Sequence, residues 1–145
     1  MVNLILGLKG SGKTKQLVEL IVRAVDEEVG NVVCIEKDKN LIFDIPYACR
    51  LIHATDYDFG NYEFFKGFIS GLYAGNYDIT HIFIDNFLRM FDDVDFGEVA
   101  ALLDWLSVFG ENNNVKFTIS ATAHPSEVGD DIKKYMIPLE QSQTA

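Results

Sequence analysis

Residues 7–14 carry the side chains in this chain that are best suited to chemistry, since they read GLKGSGKT and match the pattern Gly-x-x-x-x-Gly-Lys-Thr. Gly7, Gly10 and Gly12 let the backbone approach an anion closely and turn its N–H groups inward. The lysine adds a positive charge for phosphate, and the threonine adds a hydroxyl that can coordinate Mg²⁺. The pattern therefore predicts that this segment, here called the phosphate loop, binds the phosphate chain of a nucleotide.

The residues of the phosphate loop have separate predicted roles. We expect Lys13 to reach the β- and γ-phosphates as a catalytic cation, and the Thr14 hydroxyl to coordinate Mg²⁺. The predicted nucleotide-binding residues are the loop glycines, the polar loop residues, the lysine that follows them and one serine far along the chain: Gly7, Lys9, Gly10, Ser11, Gly12, Lys13, Thr14, Lys15 and Ser120.

The phosphate loop lies between a strand pattern and a helix pattern, which is the context that such a loop requires. Residues 2–6 form a short apolar run, and the apolar residues after the loop recur at helical spacing as far as about Val29, before Gly30. The start of a helix attracts an anion because its free N–H groups and its dipole are positive there.

Asp85 is the second residue with a predicted role in metal binding. It ends the apolar run in THIFIDN, and a carboxylate at the end of a buried strand is where nucleotidases with such a loop hold magnesium. The sequence therefore predicts Thr14 and Asp85 as the residues that hold Mg²⁺.

The whole chain alternates short apolar runs with helical patterns. This alternation is typical of an α/β fold in which helices cover both faces of a parallel sheet, giving a three-layer sandwich with five or six strands. The predicted helices beyond the first cover residues 61–75, 97–110 and 126–134. The predicted strands cover residues 2–6, 31–36, 50–54, 81–85, 115–120 and, with the weakest pattern, 135–139.

Length and composition indicate one domain over residues 1–140, with 141–145 as a frayed tail. The net charge of −10 and three scattered arginines argue against a nucleic-acid partner, which would need clustered cations. Two cysteines are too few for a four-thiolate zinc site. We find neither a signal-peptide pattern nor an apolar run long enough for a membrane span, and therefore expect a cytoplasmic protein.

The phosphate loop and Asp85 together make residues 2–122 resemble the P-loop nucleoside triphosphatases. At least one strand is expected between the Asp85 strand and the loop's own strand, and two is the favoured number. This separation resembles the RecA-like division and implies the core strand order 5-1-4-3-2. The resemblance also implies that the strand at 115–120 lies beside the loop's strand and carries a polar sensor of the γ-phosphate. Ser120, Thr122 and His124 are the candidates, and Ser120 lies nearest the predicted strand end.

RecA-like ATPases also place a water-activating acidic residue at the end of the strand after the P-loop helix. In NVVCIEKDKN the resemblance implies Glu36 as this catalytic base, with Asp38 as its rival. The glutamate that commonly follows the magnesium aspartate is replaced here by Asn86, so the expected hydrolysis depends on Glu36.

The resulting prediction is a Mg²⁺- and ATP-binding protein with slow ATPase activity that acts through a partner or through self-assembly. ATP is favoured over GTP because the N-K-x-D and D-x-x-G motifs are absent. Two alternatives stay open: an ATP-sensing module without hydrolysis, and a small-molecule kinase, although an arginine-bearing lid is not evident. The apolar residues of NFLRMF either fold onto the core or form a partner surface. In the partner reading, Arg89, or Lys133 with Lys134, could supply a cation to a neighbour.

Overall fold

The computed structural model describes residues 1–38, 41, 44–57 and 59–139, and the predicted frayed tail lies outside these residues. The sheet has five parallel strands: β1 Val2–Gly7, β2 Asn31–Glu36, β3 Cys49–His53, β4 Ile79–Asp85 and β5 Lys116–Thr122. The α-helices are α1 Lys13–Glu27, α2 Tyr62–Gly75, α3 Phe96–Asn113 and α4 Asp130–Lys133. Within the described residues, no helix has the length and apolar character needed to cross a membrane.

The strand order is β1-β5-β4-β2-β3, which differs from the predicted order 5-1-4-3-2. The expectation that the strand at 115–120 lies beside the loop's strand is confirmed, because β5 pairs with β1 along its length. One strand, β5, separates β1 from the Asp85 strand β4, so the predicted minimum of one strand is met and the favoured number of two is wrong. The order differs because β3 forms an edge beyond β2, and because the described residues provide only an isolated bridge, and no full strand, on the outer side of β1.

The predicted sixth strand at 135–139 is reduced to a single bridge between Leu4 and Met136. The backbone of Leu4 donates to the Tyr135 carbonyl at 2.8 Å and accepts from the N–H of Ile137 at 2.9 Å. Beyond this bridge the Pro138 carbonyl accepts a hydrogen bond from Nε2 of Gln16 in α1 at 3.1 Å. The segment therefore turns toward α1 instead of continuing along β1.

Helices cover both faces of the sheet, so the predicted three-layer α/β arrangement is confirmed. On one face α1 packs Leu17 and Ile21 against Cys34 and Phe83 of the strands. On the other face α2 and α3 bury a larger apolar cluster, which includes Phe65, Ile69, Leu103 and Leu106. Both faces of the central strands are buried, which explains why their sequences are continuous apolar runs.

The starts of α2 and α3 follow from capping residues. The Asn61 side chain accepts from the N–H of Phe64 at 2.7 Å, and the Asp95 side chain accepts from the first turn of α3. These are ordinary N-caps, which satisfy N–H groups that have no partner within the helix. The helix predicted at 126–134 is instead divided into a 3₁₀ turn, Pro125–Glu127, and the short α4 after Gly129.

The apolar residues after Asp85 fold onto the core. Phe87, Met90 and Phe91 are buried in and after a 3₁₀ turn, Phe87–Met90, and join the cluster beneath α2 and α3. Rings of α2 and this turn meet edge-on, as Phe65 and Phe87 do at 5.5 Å between centroids. Of the two readings left open from the sequence, the core reading is the one that the structure supports.

His81 lies in a partly buried polar cluster near the amino-terminal end of β4. Its Nε2 lies 2.8 Å from Oγ1 of Thr118, and its ring stacks on Phe83 at 4.0 Å between centroids. Its Nδ1 lies 3.7 Å from a Glu28 carboxylate oxygen, and the other oxygen of Glu28 is paired with Lys116. Burial lowers the pKa of His81 to about 4, with Glu28 opposing this shift and Lys116 and the N-terminal amine adding to it.

The His81 environment predicts an acid-sensitive fold. The unfolded chain binds a proton at His81 near the ordinary pKa of 6.5, but the folded chain does so only near pH 4, so stability is lost as pH falls through this window. Between pH 7 and pH 5 the loss should be about 2 kcal/mol. Urea unfolding at both pH values should show this loss in the free energy of unfolding for the wild type and a smaller loss for His81→Gln. Equal losses in the two proteins would contradict the prediction, because all other titrating groups are shared.

Candidate functional site

The predicted site residues meet at the carboxyl edge of the sheet, where the strands of a parallel sheet all end. Gly7 at the end of β1 is in register with Thr122 at the end of β5. Glu36 at the end of β2 is likewise in register with Asp85 at the end of β4. Ligands of open α/β sheets bind at this edge, and the phosphate loop begins there.

The backbone of the phosphate loop needs glycine at specific positions. Gly10 and Gly12 have φ angles of +82° and +90°, in the left-handed region that glycine adopts without strain. A β-carbon on Gly7 would lie 2.6 Å from the Ser11 hydroxyl oxygen and 3.1 Å from the Leu139 side chain. The loop is therefore closely packed on its inner side.

The Ser11 hydroxyl is buried in the loop and has no hydrogen-bond partner among the described residues. A buried polar atom without a partner costs free energy, and such atoms are found where a ligand completes the site. The orphaned hydroxyl therefore fits a ligand with hydrogen-bonding oxygens, such as a phosphate.

Lys13 extends back over the phosphate loop. Its Nζ donates to the Leu8 carbonyl at 2.8 Å, and only 6% of the residue is exposed. Burial lowers the pKa of the Lys13 amine, and the nearby Asp85 carboxylate partly opposes this shift. Lys9, Thr14 and Lys15 are exposed around the loop. The loop thus has one sheltered cation and two cations open to solvent.

Thr14 and Asp85 face each other across the site. The Thr14 hydroxyl lies 3.4 Å from Oδ1 of Asp85, which is 3% exposed. A hydroxyl and a carboxylate are hard oxygen donors, the type that Mg²⁺ binds together with water and phosphate oxygens. The residues present therefore fit the magnesium ion that the sequence predicts.

Ser120, the first choice for a γ-phosphate sensor, is fully buried and makes contacts with Asp85 instead. Its hydroxyl donates to Oδ1 of Asp85 at 2.6 Å and accepts from the backbone N–H of Asn86 at 3.0 Å. The strand continues past Ser120 to Thr122, which is exposed beside Gly7. Of the sensor candidates, Thr122 has the more open position at the loop.

His124 caps a turn. Its Nδ1 accepts from the backbone N–H of Ser126 at 3.1 Å, and its own N–H donates to the Glu127 carboxylate at 2.9 Å. This reciprocal arrangement is a capping box at the 3₁₀ turn Pro125–Glu127. The contacts of His124 are therefore those of a turn residue.

Glu36, the predicted base, is buried beside Asp85 and 1% exposed. Its Oε2 accepts from the N–H of Leu41 at 3.0 Å. Its Oε1 lies 3.0 Å from Nδ1 of His53, although these atoms are not aligned as a hydrogen bond. Burial raises the pKa of the Glu36 carboxyl and Asp85 adds to the rise, whereas Leu41 and His53 oppose it.

His53 is a site neighbour that sequence reasoning missed. It ends β3 in register with Glu36, and its side chain is 17% exposed. The available signal was its position after the apolar run in CRLIH, the same strand-end position that drew attention to Glu36 and Asp85. Recognising it would also have required knowing that β3 lies beside β2.

The other predicted candidates are engaged in ion pairs or lie at the surface. Asp38 accepts from Arg89 at 2.9 Å, which joins the segment after β2 to the turn after β4. Lys134 pairs with Asp104 of α3 at 3.0 Å, and Lys133 is exposed on α4. To act on a neighbouring copy, Arg89 and Lys134 would thus first have to leave their ion-pair partners.

The site combines a glycine loop with a sheltered lysine, a hydroxyl and carboxylate pair, and a second buried carboxylate. Comparisons with protein-family models and with curated proteins found no match to this sequence. The functional interpretation therefore comes from the residues and their geometry.

Proposed function

We propose that this protein binds Mg-ATP in the phosphate loop and hydrolyses it slowly. The observation that carries the proposal is the approach of Thr14 and Asp85 to 3.4 Å beside the buried Lys13 amine. A hydroxyl from α1 and a carboxylate from β4 come from distant parts of the chain. Their meeting next to a glycine loop with two left-handed residues is the arrangement expected for a magnesium–phosphate site.

We also propose that the fold belongs to the RecA-like division of P-loop proteins. The support is that one strand separates β1 from β4, and that the bridge at Met136 occupies the outer side of β1. When this bridge is counted as a rudimentary strand and β3 as an added edge strand, the remaining order corresponds to 5-1-4-3-2.

In the proposed hydrolysis, the loop N–H groups and Lys13 bind the phosphates and offset their charge. Thr14 and Asp85 would hold Mg²⁺, which supplies further charge neutralisation when bound. Glu36 accepts a proton from a water molecule as the water oxygen bonds to the γ-phosphorus. The bond from that phosphorus to the bridging oxygen breaks, and ADP leaves with the electron pair. A raised pKa makes the Glu36 carboxylate a stronger base.

A second candidate function is an ATP-sensing module without turnover. Its support is that the Leu41 N–H and His53 both lie against the Glu36 carboxylate, and that Asn86 follows Asp85. A carboxylate held in this way must release a contact before it can orient water. In this reading ATP binding changes the conformation or the partner of the protein, with no phosphate released.

Nucleotide binding and phosphate release, measured separately, test the two candidates. We expect a fluorescent ATP analogue to bind in Mg²⁺ and to bind much more weakly in EDTA, and ATP to compete better than GTP. Slow phosphate release whose rate per protein molecule rises with protein concentration would support hydrolysis through self-assembly. Binding without release in any oligomeric state would support the sensing module, and absence of binding in Mg²⁺ would refute both.

The proposed partner would act at the same edge of the sheet. RecA-like assemblies complete their sites with a cation from a neighbour, and Arg89 is here paired with Asp38 in its own chain. We propose that a second copy or another protein supplies or receives such a cation. Gel filtration with and without Mg-ATP would reveal self-assembly as a nucleotide-dependent change in size.

A further inference from the structure

The carboxylate of Asp85 contacts the side chains of two neighbouring residues, Ser120 and Asn86. We propose that Ser120 and Asn86 are positioning residues that fix Asp85 for magnesium, a role that rests on the proposed Mg-ATP binding. We call these two residues the Asp85 clamp. Neither residue needs to touch the nucleotide to have this effect.

The Ser120 half of the clamp follows from counting hydrogens. A hydroxyl has one hydrogen, and because its oxygen accepts from the Asn86 N–H at 3.0 Å, the hydrogen points elsewhere. Oδ1 of Asp85 lies 2.6 Å away, a distance typical of a hydroxyl donating to a charged carboxylate. Ser120 is fully buried, so water does not compete for this bond. The clamp therefore fixes Oδ1 from the inner side.

The Asn86 half depends on an unusual backbone conformation. Asn86 has φ 54° and ψ 50°, and among the described residues only Asn114 is another non-glycine residue with positive φ. This left-handed conformation returns the Asn86 N–H to Ser120 and brings Nδ2 within 3.4 Å of Oδ2 of Asp85. Asparagine adopts it more readily than other side chains, for which it costs roughly 1–2 kcal/mol. The clamp thus gives a physical reason why asparagine, rather than glutamate, follows Asp85.

Fixing Asp85 matters because a cation lies close by. Lys13 directly precedes Thr14, whose hydroxyl lies 3.4 Å from Oδ1 of Asp85. A carboxylate that was free to rotate could turn toward the amine, where it would compete with phosphate for Lys13 and leave the metal site. With one oxygen bonded to Ser120 and the other beside Asn86, Asp85 stays directed toward Thr14. Residues that orient metal ligands in this way typically change metal affinity by 10–100-fold (about 1.4–2.7 kcal/mol) when mutated.

The test is a Mg²⁺ titration at a fixed concentration of a fluorescent ATP analogue. In Ser120→Ala we expect the Mg²⁺ concentration at half-saturation to rise about tenfold or more. Binding of the analogue in EDTA should stay as in the wild type. Mn²⁺ binding, followed by electron paramagnetic resonance, should weaken in parallel and does not depend on turnover. If Ser120→Ala does not fold, Ser120→Cys retains the volume with a weaker donor and should show a smaller shift in the same direction.

Asn114 supplies a matched control for Asn86. Asn114 has φ 56° at the end of α3, and it lies outside the site. Asn86→Ala and Asn114→Ala should lose similar stability in urea, since both force alanine into the left-handed region. Only Asn86→Ala should require more Mg²⁺. Asn86→Gly accepts the conformation and keeps the backbone N–H, so it should recover most of the Mg²⁺ affinity.

Several results would overturn the clamp while leaving the proposed function intact. One is a folded Ser120→Ala with an unchanged Mg²⁺ midpoint. Another is a Ser120→Ala variant that has the wild-type Mg²⁺ midpoint but no longer binds ATP more tightly than ADP. That result would identify Ser120 as a γ-phosphate sensor. Equal Mg²⁺ affinities for Asn86→Ala and Asn114→Ala would also refute it. A wild-type protein that binds no Mg-ATP would refute the proposed function and the clamp together.

Discussion

Replacing Lys13 by alanine is expected to weaken Mg-ATP binding about a hundredfold or more, or about 2.7 kcal/mol. Lys13 is 6% exposed and its amine lies over the phosphate loop, so contact of its charge with water is restricted. Hydrogen bonds to charged groups contribute roughly 1.5–3 kcal/mol each, and the amine can donate to more than one phosphate oxygen. Titration with a fluorescent ATP analogue, or calorimetry, measures the loss.

Arg23→Ala is the matched control for Lys13→Ala. Arg23 is an exposed cation on the same helix, ten residues and therefore about 15 Å farther along α1. Its removal changes the net charge equally but should leave ATP affinity within about twofold, because exposed charges at this distance are screened. Lys13→Ala leaves the Leu8 carbonyl without its side-chain donor, so urea unfolding must show that the variant is folded. Unchanged affinity in a folded Lys13→Ala would refute phosphate binding at the loop.

Replacing Glu36 by glutamine is expected to lower phosphate release about a hundredfold or more and to leave ATP affinity within about threefold. General bases contribute roughly 10²–10⁴-fold to rate, and glutamine cannot accept the proton. The substitution preserves shape: a carboxamide oxygen can still accept from the N–H of Leu41. Single-turnover phosphate release, with binding measured in parallel, separates the two effects.

The stability of Glu36→Gln provides an internal check. Burial raises the pKa of Glu36 in the folded chain. The contribution of the Glu36 carboxyl to the free energy of unfolding is therefore most favourable at acidic pH and is lost as pH rises through that pKa. The glutamine variant should therefore be at least as stable as the wild type at pH 7. Asp38→Asn is the matched control, because Asp38 is the rival base and is paired with Arg89. Loss of phosphate release in Asp38→Asn but not in Glu36→Gln would identify Asp38, instead of Glu36, as the general base.

The sequence was sufficient for features with local causes. The strands near 2–6, 31–36 and 81–85 follow from short apolar runs, and the loop glycines follow from their motif. The approach of Thr14 to Asp85 could also be expected, because parallel strands end at a common edge. These predictions needed only hydrophobic pattern and the general geometry of parallel sheets.

Features that depend on distant pairing could not be read from the sequence. Nothing local in residues 49–53 indicates that they form the edge of the sheet beyond β2, so the strand order and the role of His53 beside Glu36 were missed. Ser120 was expected to face phosphate because the strand was predicted to end there. The strand runs on to Thr122, so Ser120 lies two residues inside the sheet, where it is fully buried and its hydroxyl donates to Asp85.

The segment after α4 has a consequence for communication within the molecule. It contacts the phosphate loop and its helix through the Gln16 hydrogen bond to Pro138 and the packing of Leu139 near Gly7. Coupling between two sites is reciprocal in free energy. If a ligand in the loop tightens these contacts, it must also protect the backbone amides of this segment from hydrogen exchange. Conversely, a change that detaches the segment must lower the affinity of the loop for that ligand by the same factor. Residues 135–139, predicted as a sixth strand, thus pack against the phosphate loop and α1 instead of extending the sheet.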